Sequence, residues 1–144
     1  MFLATKFSVG NFFKKTASIV RSFNSYRVRT AESTDIPFIR NCNIANLPEN
    51  YEDRFYRDQL FTYPDLSLIV EDENENLVGY ALGRILTRQT LLGKSQQHGH
   101  IFSVAVSRSH RGKKLANQMI DLLHVQFSKR ENINDIDLFC RVSR

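Results

Sequence analysis

GHIFSVAVSRSHRGKKLANQMIDLLHVQF, residues Gly99 to Phe127, is the stretch on which the reading of this chain turns. Its first part, His100 to Val106, is a short apolar run rich in β-branched and aromatic residues, the composition of a buried strand. Further on, apolar residues recur at Ala116, Met119, Ile120, Leu123 and Phe127, a spacing of three and four that belongs to one face of a helix. Between the two, Ser107 to Lys114 carries Arg108, His110, Arg111, Lys113 and Lys114 around the single glycine Gly112. A strand, a basic turn and a helix start in that order bring free backbone N–H groups and the positive end of a helix dipole to one spot. Such a spot binds phosphate. The plain alternative is a solvated surface connection. Charge distribution favours the ligand: from Asn76 to Ile120 there is no Asp or Glu, while Arg84, Arg88, Lys94, Arg108, Arg111, Lys113 and Lys114 all fall there. A patch of one sign attracts an anion over roughly a Debye length, about 8 to 10 Å in cell-like salt, without specifying which anion.

Working outward, 144 residues with 42% hydrophobic content suit one domain with a real core. No apolar run approaches the ~20 residues needed to span a bilayer, and no membrane partner is expected. Cys42 and Cys140 lie far apart without metal-ligand spacing, which fits a reducing compartment. Residues 1–25 differ from the rest: they hold Lys6, Lys14, Lys15 and Arg21, and no acid precedes Glu32. Written as a helix, Phe12, Ile19, Val20 and Phe23 share one face and Lys14, Ser18, Arg21 and Ser25 the other. Two readings stand, a disordered basic extension or a mitochondrial targeting segment, and the domain is taken to be residues 26–144.

Within 26–144 the pattern predicts strands at Tyr26 to Thr30, Leu66 to Val70, Leu77 to Leu86, Gly99 to Val106 and Ile136 to Val142. Helices are predicted after Ser33, Thr34 or Asp35, over Glu52 to Phe61, and over Lys113 to Ser128. Proline in LPEN ends the first helix, EDENEN is a hairpin turn, and the polar stretch Thr87 to Gln97 reads as a surface loop. Gly79 and Gly83 would weaken or bend their strand. The order β-α-α-β-β-β-α-β is an α/β arrangement, a mixed β-sheet flanked by helices.

SVAV followed by RGKKLA resembles the acyl-CoA-binding core of the GNAT acetyltransferases, in which Arg or Gln is followed by two variable residues, Gly, a variable residue, and Gly or Ala. Arg111 and Ala116 fit the ends. Lys114 stands where the family has its central glycine, which permits φ > 0 and close approach of the backbone to a pyrophosphate. CNIANLPENY (Cys42 to Tyr51), SLIVEDENENLVGYALG and HGHIFSVAVSRSHR narrow the resemblance to the catalytic subunits of NatA-type N-terminal acetyltransferases, over about Tyr26 to Arg144.

The resemblance implies a GNAT fold with acetyl-CoA as co-substrate, no metal, and transfer of acetyl to the free α-amine of protein N-termini. Val104, Ala105 and Val106 would face the pantetheine arm, and Arg111, Gly112, Lys113, Lys114, Leu115 and Ala116 the pyrophosphate. Glu49 would be the general base, Arg141 a cation ordering it or the peptide, and Leu47, Pro48, Tyr51 and His100 the lining of the peptide entrance. For Glu49 and Arg141 the plain readings are an exposed loop carboxylate and an edge-strand arginine. It also implies a large helical-repeat auxiliary subunit, indirect contact with ribosomes and a cytoplasmic location, with mitochondria as the alternative. Family members continue past the fifth strand, so the last helix and strands are expected to be missing here. With Lys114, that leaves a second reading, a catalytically impaired pseudoenzyme or interaction subunit. His98 and His100 form an HxH without a third metal ligand nearby in sequence. Direct nucleic-acid binding from the net charge of +5 lacks aromatic interleaving or a helix-turn-helix pattern.

Overall fold

Alternating and continuous apolar runs build one sheet, and the helices cover both of its faces. A computed structural model describes residues 7–9 and 19–138; Arg141, Cys140 and the segment holding Phe12, Lys14 and Ser18 lie outside the described residues. The strands are β1 Phe7–Val9, β2 Ile19–Phe23, β3 Tyr26–Thr30, β4 Ser67–Glu71, β5 Leu77–Gln89, β6 Ser95–Val106 and β7 Ile136–Leu138, and they lie in the sheet in chain order. Each pairs antiparallel with the next, except β6 and β7, which are parallel. The sheet is therefore mixed, and the expected α/β arrangement of a mixed sheet flanked by helices holds.

The helices are α1 Ile36–Asn46, α2 Asp53–Thr62 and α3 Leu115–Ser128. The apolar stripe of α3, from Leu115 through Met119, Leu122 and Leu123 to Phe127, is buried against Val28, Leu68, Val70, Ala81, Ile101 and Val106. On the opposite face Ile36, Ile39, Cys42 and Tyr56 of α1 and α2 pack on Ile69, Tyr80, Leu82 and Ala105. Successive residues of a strand point to opposite faces, so β4, buried at all five positions, feeds both cores.

Two expectations change. The sheet begins before residue 26: Ile19–Phe23 pairs with Tyr26–Thr30 through a tight turn, so the boundary at residue 25 falls inside a hairpin. Arg21 of that hairpin is buried and donates to Gln118 of α3 at 3.2 Å, which ties the strand to the domain. Thr87 to Gln97 is likewise no loop. It is the outer half of a β5–β6 hairpin whose strands stay paired out to Gln89 and Ser95. Most of these residues are exposed, so no apolar alternation marked them.

The glycines of the central strands serve close packing. A Cβ on Gly99 would lie 2.8 Å from the Phe127 ring, and one on Gly83 would lie 3.0 Å from the same ring. The phenyl group of α3 thus rests directly on the backbone of β5 and β6. Gly99→Ala is expected to destabilise the fold by about 1–3 kcal/mol, since overpacking here must move a ring buried against backbone. Urea unfolding measures this, and an unchanged midpoint would contradict the packing described.

Candidate functional site

The end of β6 turns into α3 through a 3-10 turn, Arg108–His110, and two residues of positive φ. Gly112 has φ 75°, and Lys114, the N-cap of α3, has φ 62° and ψ 22°. A lysine therefore holds the left-handed conformation that the pattern assigns to glycine, at a cost of about 1–2 kcal/mol for an L-residue. The turn thus reaches positive φ at Lys114 without a glycine there.

This turn leaves the start of α3 without a side-chain cap and without an acid in its first turn. Its N–H groups open on a cavity of about 320 Å³ lined by Val106, His110, Arg111, Gly112, Lys114 and Leu115. A larger cleft of about 680 Å³ lies between the β5–β6 hairpin and the segment after α3. Its lining of Thr87, Ser95, Gln96, Gln97, Glu131, Asn132 and Asn134 contains no cation. An anion therefore finds its complement in the smaller, cationic cavity.

Arg111 ties the cavity to the other face of the sheet. Its Nε donates to the Val106 carbonyl at 3.1 Å, and its guanidinium also donates to the Asn46 side chain at the end of α1. Leu47, half-buried, closes α1 by donating its N–H to the Asn43 carbonyl at 2.8 Å. The segment Leu47, Pro48, Glu49, Tyr51 follows directly. The crook and the LPENY segment, far apart in sequence, are joined by this one side chain.

A buried polar chain fixes the same segment from below. The Asn43 carboxamide donates to the Glu49 main-chain carbonyl, and its own oxygen accepts from Tyr80 at 2.9 Å. Tyr80 is within 2.8 Å of the Ser103 hydroxyl on β6. Burial pushes the Tyr80 phenol above its ordinary range and Tyr56 up to about 12, so both stay protonated at neutral pH. The Cys42 thiol is also pushed up by burial, which unfits it as a nucleophile. Glu49 is left as the exposed carboxylate of the segment.

Tyr51 stacks on Phe55 with centroids 4.1 Å apart, and Phe102 stands edge-on to both at 6.4 and 5.6 Å. The Arg84 guanidinium lies 4.3 Å from the Phe102 centroid and 4.9 Å from that of Phe55. Phe102 sits at the β5–β6 register shift, between Ile101 and Ser103. Among the described residues β7 pairs with β6 only from Gly99 to Ile101, leaving the backbone of Val104, Ala105 and Val106 beyond that ladder. His100 is buried opposite Arg84, and both His98 and His100 contact the Asp137 carboxylate. His100 thus lines the α1–α2 side as a group held by Asp137.

Of the predicted crook residues, Arg111 reaches Asn46, the residue before Leu47, while Lys113 turns to the Tyr26 hydroxyl. Asn43, Asn46 and Tyr80 have no role in the sequence reading, and Arg84 enters it only as part of the cationic patch. For Asn43 a signal existed: it is a polar residue inside the apolar periodicity of α1, and such a group needs a buried partner.

The family profile described as Acetyltransferase (GNAT) family matches residues 36–144. The chain is 36% identical over 116 residues to the N-alpha-acetyltransferase daf-31 of Caenorhabditis elegans, covering 81% of this chain and 62% of that protein. It is 36% identical over 93 residues to the N-terminal acetyltransferase A complex catalytic subunit ard1 of Schizosaccharomyces pombe, covering 65% and 51%. The chain thus spans between about half and three fifths of the length of these relatives. Its fold is similar, with a TM-score of 0.69, to Chaetomium thermophilum Naa20 in complex with a bisubstrate analogue, at 24% identity over 81% of this chain and 63% of that one.

Two variants test the geometry. Lys114→Gly is expected to be more stable than Lys114→Ala by about 1 kcal/mol, because alanine keeps the left-handed penalty and glycine does not. Equal melting temperatures would contradict the αL assignment. Tyr80→Phe strands the Asn43 side-chain oxygen and the Ser103 hydroxyl hydrogen and is expected to cost about 1–3 kcal/mol in chemical unfolding.

Proposed function

This chain belongs to the acetyltransferase (GNAT) family, and from that premise we propose that it transfers acetyl from acetyl-CoA to the free α-amino group of protein N-termini. The observation that carries the reading is the Arg111 bridge, which sets a cationic, uncapped helix start beside the segment bearing Glu49 and Tyr51. The relatives' names, which give N-alpha-acetyltransferase and N-terminal acetyltransferase activity, agree with it.

In this proposal Arg111, Gly112, Lys113, Lys114 and the first N–H groups of α3 hold the diphosphate. Leu115 and Ala116 form the first turn from which those donors point. The pantetheine arm runs along the outer edge of β6, at Val104 to Val106, where a backbone N–H can polarise the thioester carbonyl. The peptide's first residue enters past Leu47, Pro48 and Tyr51. An α-amine has a pKa near 7.7–8.0, so about a tenth is neutral at pH 7 and a strong base is unnecessary. Glu49 takes the ammonium proton. The freed lone pair then attacks the thioester carbon, the C–S bond breaks as the amide C–N bond forms, and the CoA thiolate leaves and takes up a proton. Since Cys42 is unfit as an acyl carrier, the acetyl group passes directly from thioester to amine, and positioning supplies much of the rate.

The exposed Ile44 of α1 and Phe61 of α2 give a helical-repeat auxiliary subunit an apolar surface on the α1–α2 side. Through it the enzyme would meet nascent chains at ribosomes in the cytoplasm. Arg141, outside the described residues, keeps its role as an ordering cation.

Calorimetry with acetyl-CoA, followed by acetylation of peptides beginning Ser, Ala or Glu, tests the activity. Binding with turnover is expected, and a folded protein that ignores acetyl-CoA would refute it. Glu49→Gln is expected to lower kcat by ~10²-fold or more with acetyl-CoA affinity retained. Undiminished turnover would return Glu49 to the role of a surface carboxylate.

A further inference from the structure

We propose that His110 is a phosphate-binding residue of the crook, donating its Nε2 hydrogen to a phosphate oxygen of CoA while Tyr26 and Lys113 hold the ring in the orientation and tautomer that this requires. The inference rests on the reading of the crook as a CoA site and adds to it a ligand-contacting side chain outside the Arg111 to Ala116 pattern.

His110 closes the 3-10 turn that leads out of β6, is half-buried, and lines the cationic cavity. Its Nδ1 lies 2.9 Å from the Tyr26 hydroxyl, and the two rings stand at 88° with centroids 5.8 Å apart. Tyr26 is the first residue of β3 and is buried, so it is a firm anchor. Lys113 reaches the same oxygen: its Nζ is 3.1 Å from it and 5.7 Å from the ring centroid.

An ammonium can only donate, so Lys113 occupies a lone pair of the Tyr26 oxygen. The hydroxyl's own hydrogen then goes to His110 Nδ1, the acceptor within reach among the described contacts. With Nδ1 accepting, the neutral imidazole carries its hydrogen on Nε2. A run of bonds from a cation through a hydroxyl to an imidazole polarises each member, which sharpens Nε2–H as a donor. Among the described residues Nε2 has no hydrogen-bond partner, and the ring lines a cavity that also holds Arg111, Lys114 and the N-terminus of α3.

The charged groups facing the ring from other elements agree with an anionic guest. The carboxylate that feels His110 is Asp72, at the β4–β5 turn. Its Oδ1 accepts from the N–H groups of Asn74 and Asn76, each at 2.9 Å, and its Oδ2 from the Asn76 side chain at 3.3 Å. What lines the cavity is a neutral donor, the two cations Arg111 and Lys114, and the start of α3, converging on one volume. A phosphate, with several acceptor oxygens, matches that set better than a carboxylate does.

The test is calorimetry of the full chain with acetyl-CoA. His110→Leu removes the donor and is expected to raise Kd about tenfold, the loss of one hydrogen bond to a charged group. His110→Gln places an amide N–H near the Nε2 position and is expected to stay within about threefold of the parent on the same grounds. Tyr26→Phe releases the tautomer and is expected to fall between the two. Melting curves check that each variant is folded; should His110→Leu not fold, Gln and Tyr26→Phe decide by the same ranking. Titration with dephospho-CoA separates the sources: a leucine effect that persists assigns the contact to the diphosphate, and one that vanishes assigns it to the 3′-phosphate. Parent-like affinity of His110→Leu, or a glutamine variant as weak as leucine, would overturn this inference and leave the CoA site standing. A parent protein that does not bind acetyl-CoA would overturn both.

Discussion

One guanidinium joins the two faces of this sheet. Arg111 leaves the turn after β6, donates back to the carbonyl of Val106 and forward to Asn46, and so fixes how far the start of α3 lies from the end of α1. Strand and helix meet there only because Gly112 and Lys114 take positive φ, and the strain of a left-handed lysine is tolerated because the long apolar stripe of α3 is anchored beyond it. The cores on either face would form without this clasp. The cavity's position beside the LPENY segment would not follow from them.

The chemistry assigned to the site asks little of any single group. The nucleophile is close to its own pKa and the leaving group is a thiol, so what the protein must supply is a held donor, a dry approach and a place for one proton. The buried Asn43, Tyr80 and Ser103 chain serves the first requirement indirectly: it holds the Glu49 backbone to the same strand whose outer edge would receive the pantetheine arm. The rings of Tyr51, Phe55 and Phe102 pack around Arg84, which sets a charge among aromatic faces beside the LPENY segment. Together these contacts hold the LPENY segment against the sheet.

What could be read from the residues alone follows from how each element is buried. The three helices and strands β3, β4 and the inner part of β6 each put apolar groups against a core, and periodicity found them. Strand β2 hides among basic and serine residues whose spacing also fits a helix, and its pairing with β3 is a tertiary fact with no local signature. The outer half of the β5–β6 hairpin stands in solvent on both faces, so the hydrophobic alternation that marks a strand is absent. At the site, the crook and the LPENY segment were legible because their chemistry is concentrated in short runs. The groups that connect them, Asn46 to Arg111 and Asn43 to Tyr80, are single polar side chains whose partners lie tens of residues away. Only the fold brings such pairs together.

Amide hydrogen exchange, followed by mass spectrometry with and without acetyl-CoA, examines the central claim most directly because it locates the ligand on the backbone. Protection is expected first and most strongly at the amides of Gly112 to Asn117, together with those of Phe102 to Val106, and extending to Leu47–Tyr51 across the Arg111 bridge. Protection confined to other segments, or none in the turn between β6 and α3, would contradict it.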